Sequence, residues 1–292
     1  MKIGFIGLGV MGSRMTKRLL NANYEVVIYN RTKEKMAPFL NLGAEAAESI
    51  EDLSEKADIV CTCLSMPEDV EEVYEVVFQH AKAGTICVDF TTVGLDTSQQ
   101  MSEQASKKGI HFLDAPISGG PEGAEAGTLT IMVGGDKQTF EKVLPAFQVL
   151  GENVQHLGKS GMGSVAKLMN QYLVAVHSLA ASEAMVVGTA LGLQSEQLYD
   201  ILKSSYGDSR MLRRHMEHYV LDRQFAPGGA VKYVHKDVRL ANVLMEQAGL
   251  SEFTGNIAQD AFNIAIRSGH ADEDMSAVIK PLEKQSDTIV KK

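Results

Sequence analysis

Lys2-Ile-Gly-Phe-Ile-Gly-Leu-Gly-Val-Met-Gly12 is the stretch from which the rest of the chain is read. An apolar run of strand length enters Gly7-x-Gly9-x-x-Gly12, and Ser13-Arg-Met-Thr-Lys-Arg-Leu-Leu20 continues as a helix. Strand, tight turn and helix in that order are the context in which a glycine-rich turn holds a dinucleotide. Gly7 permits the turn, Gly9 lets the backbone approach a pyrophosphate, and Gly12 lets the helix close on the strand. Leu8, Val10 and Met11 fill the positions between them. The helix start then offers N–H groups and partial positive charge to phosphates. An ordinary glycine-rich turn would not explain the second strand, Tyr24-Glu-Val-Val-Ile-Tyr29, at the expected distance.

The end of that second strand selects the cofactor. A site for NAD places an Asp or Glu there to accept hydrogen bonds from the ribose hydroxyls. This chain has Asn30-Arg31-Thr32 instead. A carboxylate would repel a 2′-phosphate, whereas the Arg31 guanidinium pairs with one. Asn30 and Thr32 add neutral hydrogen bonds, so NADP is favoured, with NAD possible but disfavoured.

The 292 residues suffice for two domains. With 45% hydrophobic and 22% charged residues the chain reads as globular. A net charge of −9 argues against nucleic acid or an anionic membrane as partner, so any anion must be held by local positive groups. Of the three cysteines, Cys61 and Cys63 share a face of one predicted strand and Cys87 lies on another, the pattern of buried thiols. Met1-Lys2-Ile3 enters a strand at once, with no secretory signal, so we expect a reduced, cytoplasmic setting.

Strand-like runs recur at 2–6, 24–29, 58–63, 85–90, 111–115 and 129–133, with helical or turn segments between them. Asp58–Cys63 and Thr85–Phe90 are apolar nearly throughout, as strands covered on both faces are. This is a parallel, doubly wound pattern, and ligands of such sheets bind at the C-terminal ends of the strands. Leu64-Ser65-Met-Pro67, Thr91-Thr92 and Pro116-Ile-Ser118-Gly119-Gly120 lie there. From Gly163 to Gly188 the chain is apolar on nearly every side, which predicts a buried helix between two lobes. Its Asn170, Gln171, His177 and Ser178 make it a poor membrane span. Only helical periods follow, including Asp237–Ala248 and Asn256–Ser268, each stopped by a glycine. We therefore expect an α/β Rossmann-type domain over 1–162 and an all-α domain over 163–292, which includes a long interdomain helix at about 163–190.

Three further motifs follow the first. They are Phe112-Leu-Asp-Ala-Pro-Ile-Ser-Gly-Gly-Pro-Glu-Gly-Ala-Glu-Ala-Gly-Thr-Leu-Thr-Ile-Met-Val-Gly-Gly135, Gly161-x-Gly163-x-x-x-Lys167-x-x-Asn170-Gln171, and Phe225-x-Pro227 followed by Lys236-Asp237. With the N-terminal glycines, they make the chain resemble the β-hydroxyacid dehydrogenase family from residue 2 to about residue 270. That family includes 3-hydroxyisobutyrate dehydrogenase and the glyoxylate and succinic semialdehyde reductases. The resemblance implies a Rossmann domain, a long interdomain helix, an all-α domain and a homo-oligomer, dimer or tetramer. It implies that Ser118, Gly119 and Gly120 hold a substrate carboxylate and that Thr92 stands beside substrate and nicotinamide. It also implies that Lys236 and Asp237 reach the cofactor-substrate cleft from the helical domain.

The residues support those roles on their own terms. Ser118 and the backbone of Gly119-Gly120 make a small anion-accepting turn, suited to a small carboxylate. Lys167 is nearly alone on an apolar helix, where burial disfavours its charged form and brings it toward the working range of a general acid or base. Asn170 and Gln171, three and four residues on, share its helical face and can orient it or the substrate oxygen.

Two positions depart from the family. Thr91-Thr92 replaces the usual Ser-Thr. Gly229 stands where many members carry an aromatic ring near the substrate, so we expect a wider pocket and a preference for four-carbon or longer semialdehydes. His215-Met-Glu-His218 has helical spacing but lacks a third metal ligand, and we assign no metal. Arg210, Arg213 and Arg214 form a basic cluster that we read as surface charge balance. The reading is an NADP(H)-dependent oxidoreductase that interconverts a small 3-hydroxy acid and its semialdehyde or oxo acid. The alternatives are an imine reductase of the same architecture, a group that generally lacks the lysine, and a non-catalytic NADP-binding scaffold.

Overall fold

Ile3–Ile6 forms strand β1, buried along its whole length. In a computed structural model that describes residues 1–292, it is a central strand of a six-stranded parallel sheet. The others are β2 (Val26–Tyr29), β3 (Glu45–Ala46), β4 (Ile59–Thr62), β5 (Ile86–Asp89) and β6 (His111–Asp114), in the order β3-β2-β1-β4-β5-β6. Phe5 lies opposite Ile28 on one side and Cys61 on the other. The order reverses between β1 and β4, which opens a crevice at the C-terminal ends of those two strands.

Side chains alternate between two apolar layers, as the pleat requires. Ile3, Phe5, Ile28, Ile59 and Val88 pack with helices α1 (Val10–Asn21) and, further along the chain, Lys137–Leu150. Val27, Val60 and Cys87 pack on the other face with Leu53, Tyr74 and Met101. Those three belong to α3 (Ile50–Lys56), α4 (Pro67–His80) and α5 (Leu95–Lys107), while the short α2 (Ala37–Leu40) follows β2. Ser49 starts α3 by accepting the Asp52 N–H, and Pro67 sits at the start of α4.

The predicted strand at 129–133 forms but belongs elsewhere. It is β8 (Thr130–Val133), antiparallel to β7 (Ile117–Ser118) and parallel to β9 (Asn153–His156) in a separate three-stranded sheet. Helix α6 (Gly120–Ala126) and the left-handed Gly127 turn the chain back from β7 to β8, and α7 (Lys137–Leu150) carries it to β9.

Helix α8 runs over Met162–Ala190. The protein divides into two compact units within it, Met1–Lys167 and Leu168–Lys292. The second unit holds α9 (Ser195–Lys203), α10 (Arg210–His215), α11 (Val231–Gln247), α12 (Thr254–Ala265) and α13 (Ile279–Gln285). Ala175 and Leu179 of α8 pack there with Val234, Val238 and Phe262. Helix α11 starts six residues before the sequence pattern indicated, because Ala230 is pinned by a bridge to Asp274. Helix α8 is not buried all round: Leu173 and Val187 are 50% and 56% exposed. Its second apolar flank lies on the surface of the single chain.

Candidate active site

The glycine-rich turn has the backbone its sequence demands. Gly7 adopts φ +99°, in the left-handed region open to glycine, and a Cβ there would strike the Cys63 carbonyl. A Cβ on Gly12 would strike the carbonyl oxygen of Gly7 and lie 3.1 Å from the Phe5 ring, so α1 can close on β1 only with glycine at that position. Gly9, by contrast, faces open space, with nothing within 4 Å of an added Cβ. It is the N-cap residue of α1, and no side chain caps that helix. Open backbone beside an uncapped helix start fits a pyrophosphate. Leu8 is buried, Met11 half-buried and Val10 exposed.

Asn30 is committed to the fold. Its Oδ1 accepts the Leu8 N–H at 2.9 Å and its Nδ2 donates to the Thr32 carbonyl at 2.8 Å. Asn30 thereby fastens the glycine-rich turn to the end of β2, and its second amide N–H is left over for a ligand. Arg31 and Thr32 are exposed beyond it, and Arg31 enters none of the ion pairs within the chain.

A buried polar network lies at the C-terminal ends of β4 and β5. Thr62 Oγ1 donates to Asp89 Oδ1 at 2.8 Å and lies 2.9 Å from the Tyr74 hydroxyl. Asp89 Oδ1 also accepts the Thr91 N–H at 3.0 Å, and Thr91 Oγ1 accepts the Leu64 N–H at 2.9 Å. Asp114 is the register partner of Asp89 on β6. Its two oxygens accept the N–H groups of Gly161 (2.7 Å) and Ser164 (2.9 Å), which caps α8. Burial pushes the carboxyls of Asp89 and Asp114 each up to about 6, against the hydrogen bonds each accepts. Burial, with Asp89 nearby, pushes the Cys63 thiol to about 12. Cys61, Cys63 and Cys87 are all free. Nothing in the sequence reading singled out Asp89 or Asp114. The available signal was a carboxylate closing an apolar strand, twice.

Ser118 ends β7 half-buried, and Gly119 (φ +138°) and Gly120 (φ +66°) turn exposed into α6. A Cβ on Gly120 would stand 3.0 Å from Glu122 Oε2, the end of a flexible side chain. Lys167 is 7% exposed on α8. Of the residues after β4 and β5, Ser65 is exposed and Thr92 half-buried.

In the second unit, Gln171 donates to Asp237 Oδ2 at 2.6 Å and accepts from Asn170 at 3.0 Å. Lys236 Nζ stands 3.2 Å from Asp237 Oδ1, and both side chains are buried rather than forming a solvated surface pair. Asn170, Gln171, Asp237 and Lys236 thus form one polar chain. Gln171 is anchored to α11, which limits the freedom to orient Lys167 expected of it.

The basic cluster is dispersed. Arg213 is exposed and paired with Asp208, while Arg214 forks onto Asp274 at 2.9 and 2.7 Å. Asp274 Oδ2 also accepts the N–H groups of Gly228 and Gly229. The space beside Gly229 is filled, since an added Cβ would stand 2.7 Å from Met275 Cε. The atom it would meet is the tip of a flexible thioether. His215 is fully buried and its basicity is depressed by burial and Arg214, while His218 is exposed, so the two do not face a common point.

Residues 2–158 match the NAD-binding domain of 6-phosphogluconate dehydrogenase, and residues 161–282 match the NAD-binding domain of NADP-dependent 3-hydroxyisobutyrate dehydrogenase. The chain is 36% identical to 2-(hydroxymethyl)glutarate dehydrogenase of Eubacterium barkeri, over 98% of this chain and 96% of that protein. It is 34% identical to NAD-dependent L-serine dehydrogenase of Pseudomonas aeruginosa, over 96% and 97%. The structure of Mycobacterium tuberculosis 3-hydroxyisobutyrate dehydrogenase with L-serine superposes with a TM-score of 0.88 at 30% identity, over 96% and 98% of the two chains. An imine reductase from Myxococcus stipitatus with NADP+ superposes at 0.63 and 20% identity, over 97% of this chain and 100% of that one, a likeness of fold alone.

The two raised carboxyls give a pH signature. Their folded values lie above the ordinary 3.8, so their contribution to stability is complete below about pH 4 and is lost as pH rises through about 6. Asp89→Asn removes the share of Asp89. Denaturation midpoints should then show the variant more stable than wild type at pH 8, by on the order of 1–3 kcal/mol, with the gap closing below pH 4. A gap independent of pH would mean that Asp89 does not titrate in this range. His215 acts in the opposite sense, losing stability as pH falls, but equally in both proteins, so it cancels from the difference.

Proposed function

Because the chain belongs to the β-hydroxyacid dehydrogenase family, we propose that it is an NADP(H)-dependent oxidoreductase interconverting a small 3-hydroxy acid and its semialdehyde or oxo acid. The observation that carries this reading is Lys167, a buried lysine on α8 in the same unit as the Ser118-Gly119 turn and the Gly7–Gly12 loop. The nicotinamide, when bound, would supply the hydride for reduction and accept it in oxidation. Gly9 and the uncapped start of α1 hold the pyrophosphate, and Arg31, exposed and outside the ion pairs of the chain, takes the 2′-phosphate. Ser118, Gly119 and Gly120 take the substrate carboxylate. Lys167 gives a proton to the carbonyl oxygen during reduction and removes it from the hydroxyl during oxidation. Thr92 and Asp237 complete the assigned substrate contacts, and Ser65 and Lys236 the cofactor contacts.

The cofactor is decided by titrating both dinucleotides. NADPH should bind at least tenfold better than NADH, about 1.4 kcal/mol, which one charge-assisted contact can supply. Arg31→Ala should erase the difference. Equal affinities in the wild type would refute the NADP assignment, and tighter binding of NADH would assign the site to NAD, the cofactor of the L-serine dehydrogenase relative.

Turnover on a panel of L-serine, 3-hydroxyisobutyrate, 2-(hydroxymethyl)glutarate, glyoxylate, succinic semialdehyde and a cyclic imine tests the chemistry. Lys167→Ala should lower kcat by about 10²–10⁴-fold while dinucleotide binding survives, the range expected of a general acid or base. A variant with wild-type kcat would place the proton donor elsewhere, and reduction of the imine alone would replace this reading with imine reduction.

Self-association belongs to the same proposal. Leu173 and Val187 on α8, with Ile201 on α9, leave large apolar side chains exposed in the helical unit. A second copy covers such a surface, and the solution mass by light scattering should be that of two chains or more. A single-chain mass at micromolar concentration would remove this part. A reduced, cytoplasmic setting belongs to the same proposal.

A further inference from the structure

We propose that Asp89 is a positioning residue for the dinucleotide, fastening the segments that follow β4 and β5 to each other at the ligand-binding edge of the sheet. The inference rests on the dinucleotide-binding reading above and adds a residue that touches neither cofactor nor substrate. Asp89 is 1% exposed, and its Oδ2 has no hydrogen-bond partner. Its Oδ1 accepts from the Thr62 hydroxyl and the Thr91 N–H, and the Thr91 side chain also bonds to the carboxyl. Burying a carboxylate with one oxygen unsatisfied is unfavourable, and an apolar side chain at this position would pack without that penalty.

The bonds to Oδ1 account for its presence. Thr62 keeps its own acceptor capacity for the Tyr74 hydroxyl, which ties the end of β4 to α4. Thr91, held through its backbone, turns its hydroxyl oxygen to the Leu64 N–H. Each fastened residue directly precedes a residue assigned to the ligands: Leu64 precedes the exposed Ser65, and Thr91 the half-buried Thr92. Without Asp89 the Thr91 N–H and the Thr62 hydroxyl lose a buried acceptor, and both loops lose their common anchor. A carboxylate suits the role better than an amide because it only accepts, so it cannot flip a donor toward the Thr91 N–H.

Dinucleotide binding to the whole protein, measured by NADPH fluorescence and by calorimetry with NADP+, tests this without any substrate. Asp89→Ala should raise Kd by about tenfold, the scale of one lost buried hydrogen bond, while its thermal midpoint at pH 8 does not fall in proportion. Asp89→Asn, which retains an acceptor, should recover affinity to within about threefold of wild type. Thr91→Val keeps the shape of Thr91, removes the acceptor of Leu64 N–H, and should raise Kd as Asp89→Ala does. If Asp89→Ala fails to fold, Thr91→Val decides alone. Folded variants binding within threefold of wild type would overturn the proposal and leave Asp89 a purely structural residue. A wild-type protein that binds neither dinucleotide would instead overturn the functional reading on which it rests.

Discussion

No Cβ can stand between Gly12 and the carbonyl of Gly7, and the rest of the molecule depends on that exclusion. It lets α1 start directly above the end of β1, at the point where the strand order reverses. The dipole of the helix, the bare backbone of Gly9 and the crevice beside β4 therefore converge on one place. Asn30 extends the constraint sideways. Because its amide bonds to both Leu8 and Thr32, the next residue, Arg31, is delivered outward at the tip of β2.

Electrostatics at the far side of the crevice work against stability rather than for it. Asp89 and Asp114 sit side by side in register, both buried, and each keeps its charge only through donors presented by the backbone or by Thr62. A fold selected for stability alone would place apolar residues there. Such placements concentrate at functional edges, where geometry matters more than a few kcal/mol.

What the sequence made legible divides along physical lines. The roles of Gly7 and Gly12 were readable because each follows from backbone geometry within a few residues. The strands at 58–63 and 85–90 were readable because burial on both faces leaves a continuous apolar run. Strands β3 and β7 were not, since two residues carry no period, and β9 (Asn-Val-Gln-His) carries no apolar run. The harder failures involve distant partners. Nothing local reveals that Asn30 also holds the Leu8 N–H. Met275, whose thioether tip borders Gly229, is 46 positions away, so no local pattern reveals it. Arg214 looked like part of a basic cluster because Asp274 lies 60 positions away.

The cap of α8 has a consequence for how the chain assembles. A 29-residue helix would ordinarily nucleate anywhere along its length, but its first turn is closed by Asp114, delivered from β6 across 47 and 50 residues of chain. Gly163 adds a condition of its own, because its backbone packs against the carbonyls of Met132 and Asp114. The N-terminal end of α8 can therefore be finished only on a sheet that is already laid down. During synthesis, β6 and β8 leave the ribosome before that helix does, so the template precedes the element it terminates. A circular permutant opened between Gly135 and Gly161 would reverse that order, presenting the helix before the carboxylate that ends it.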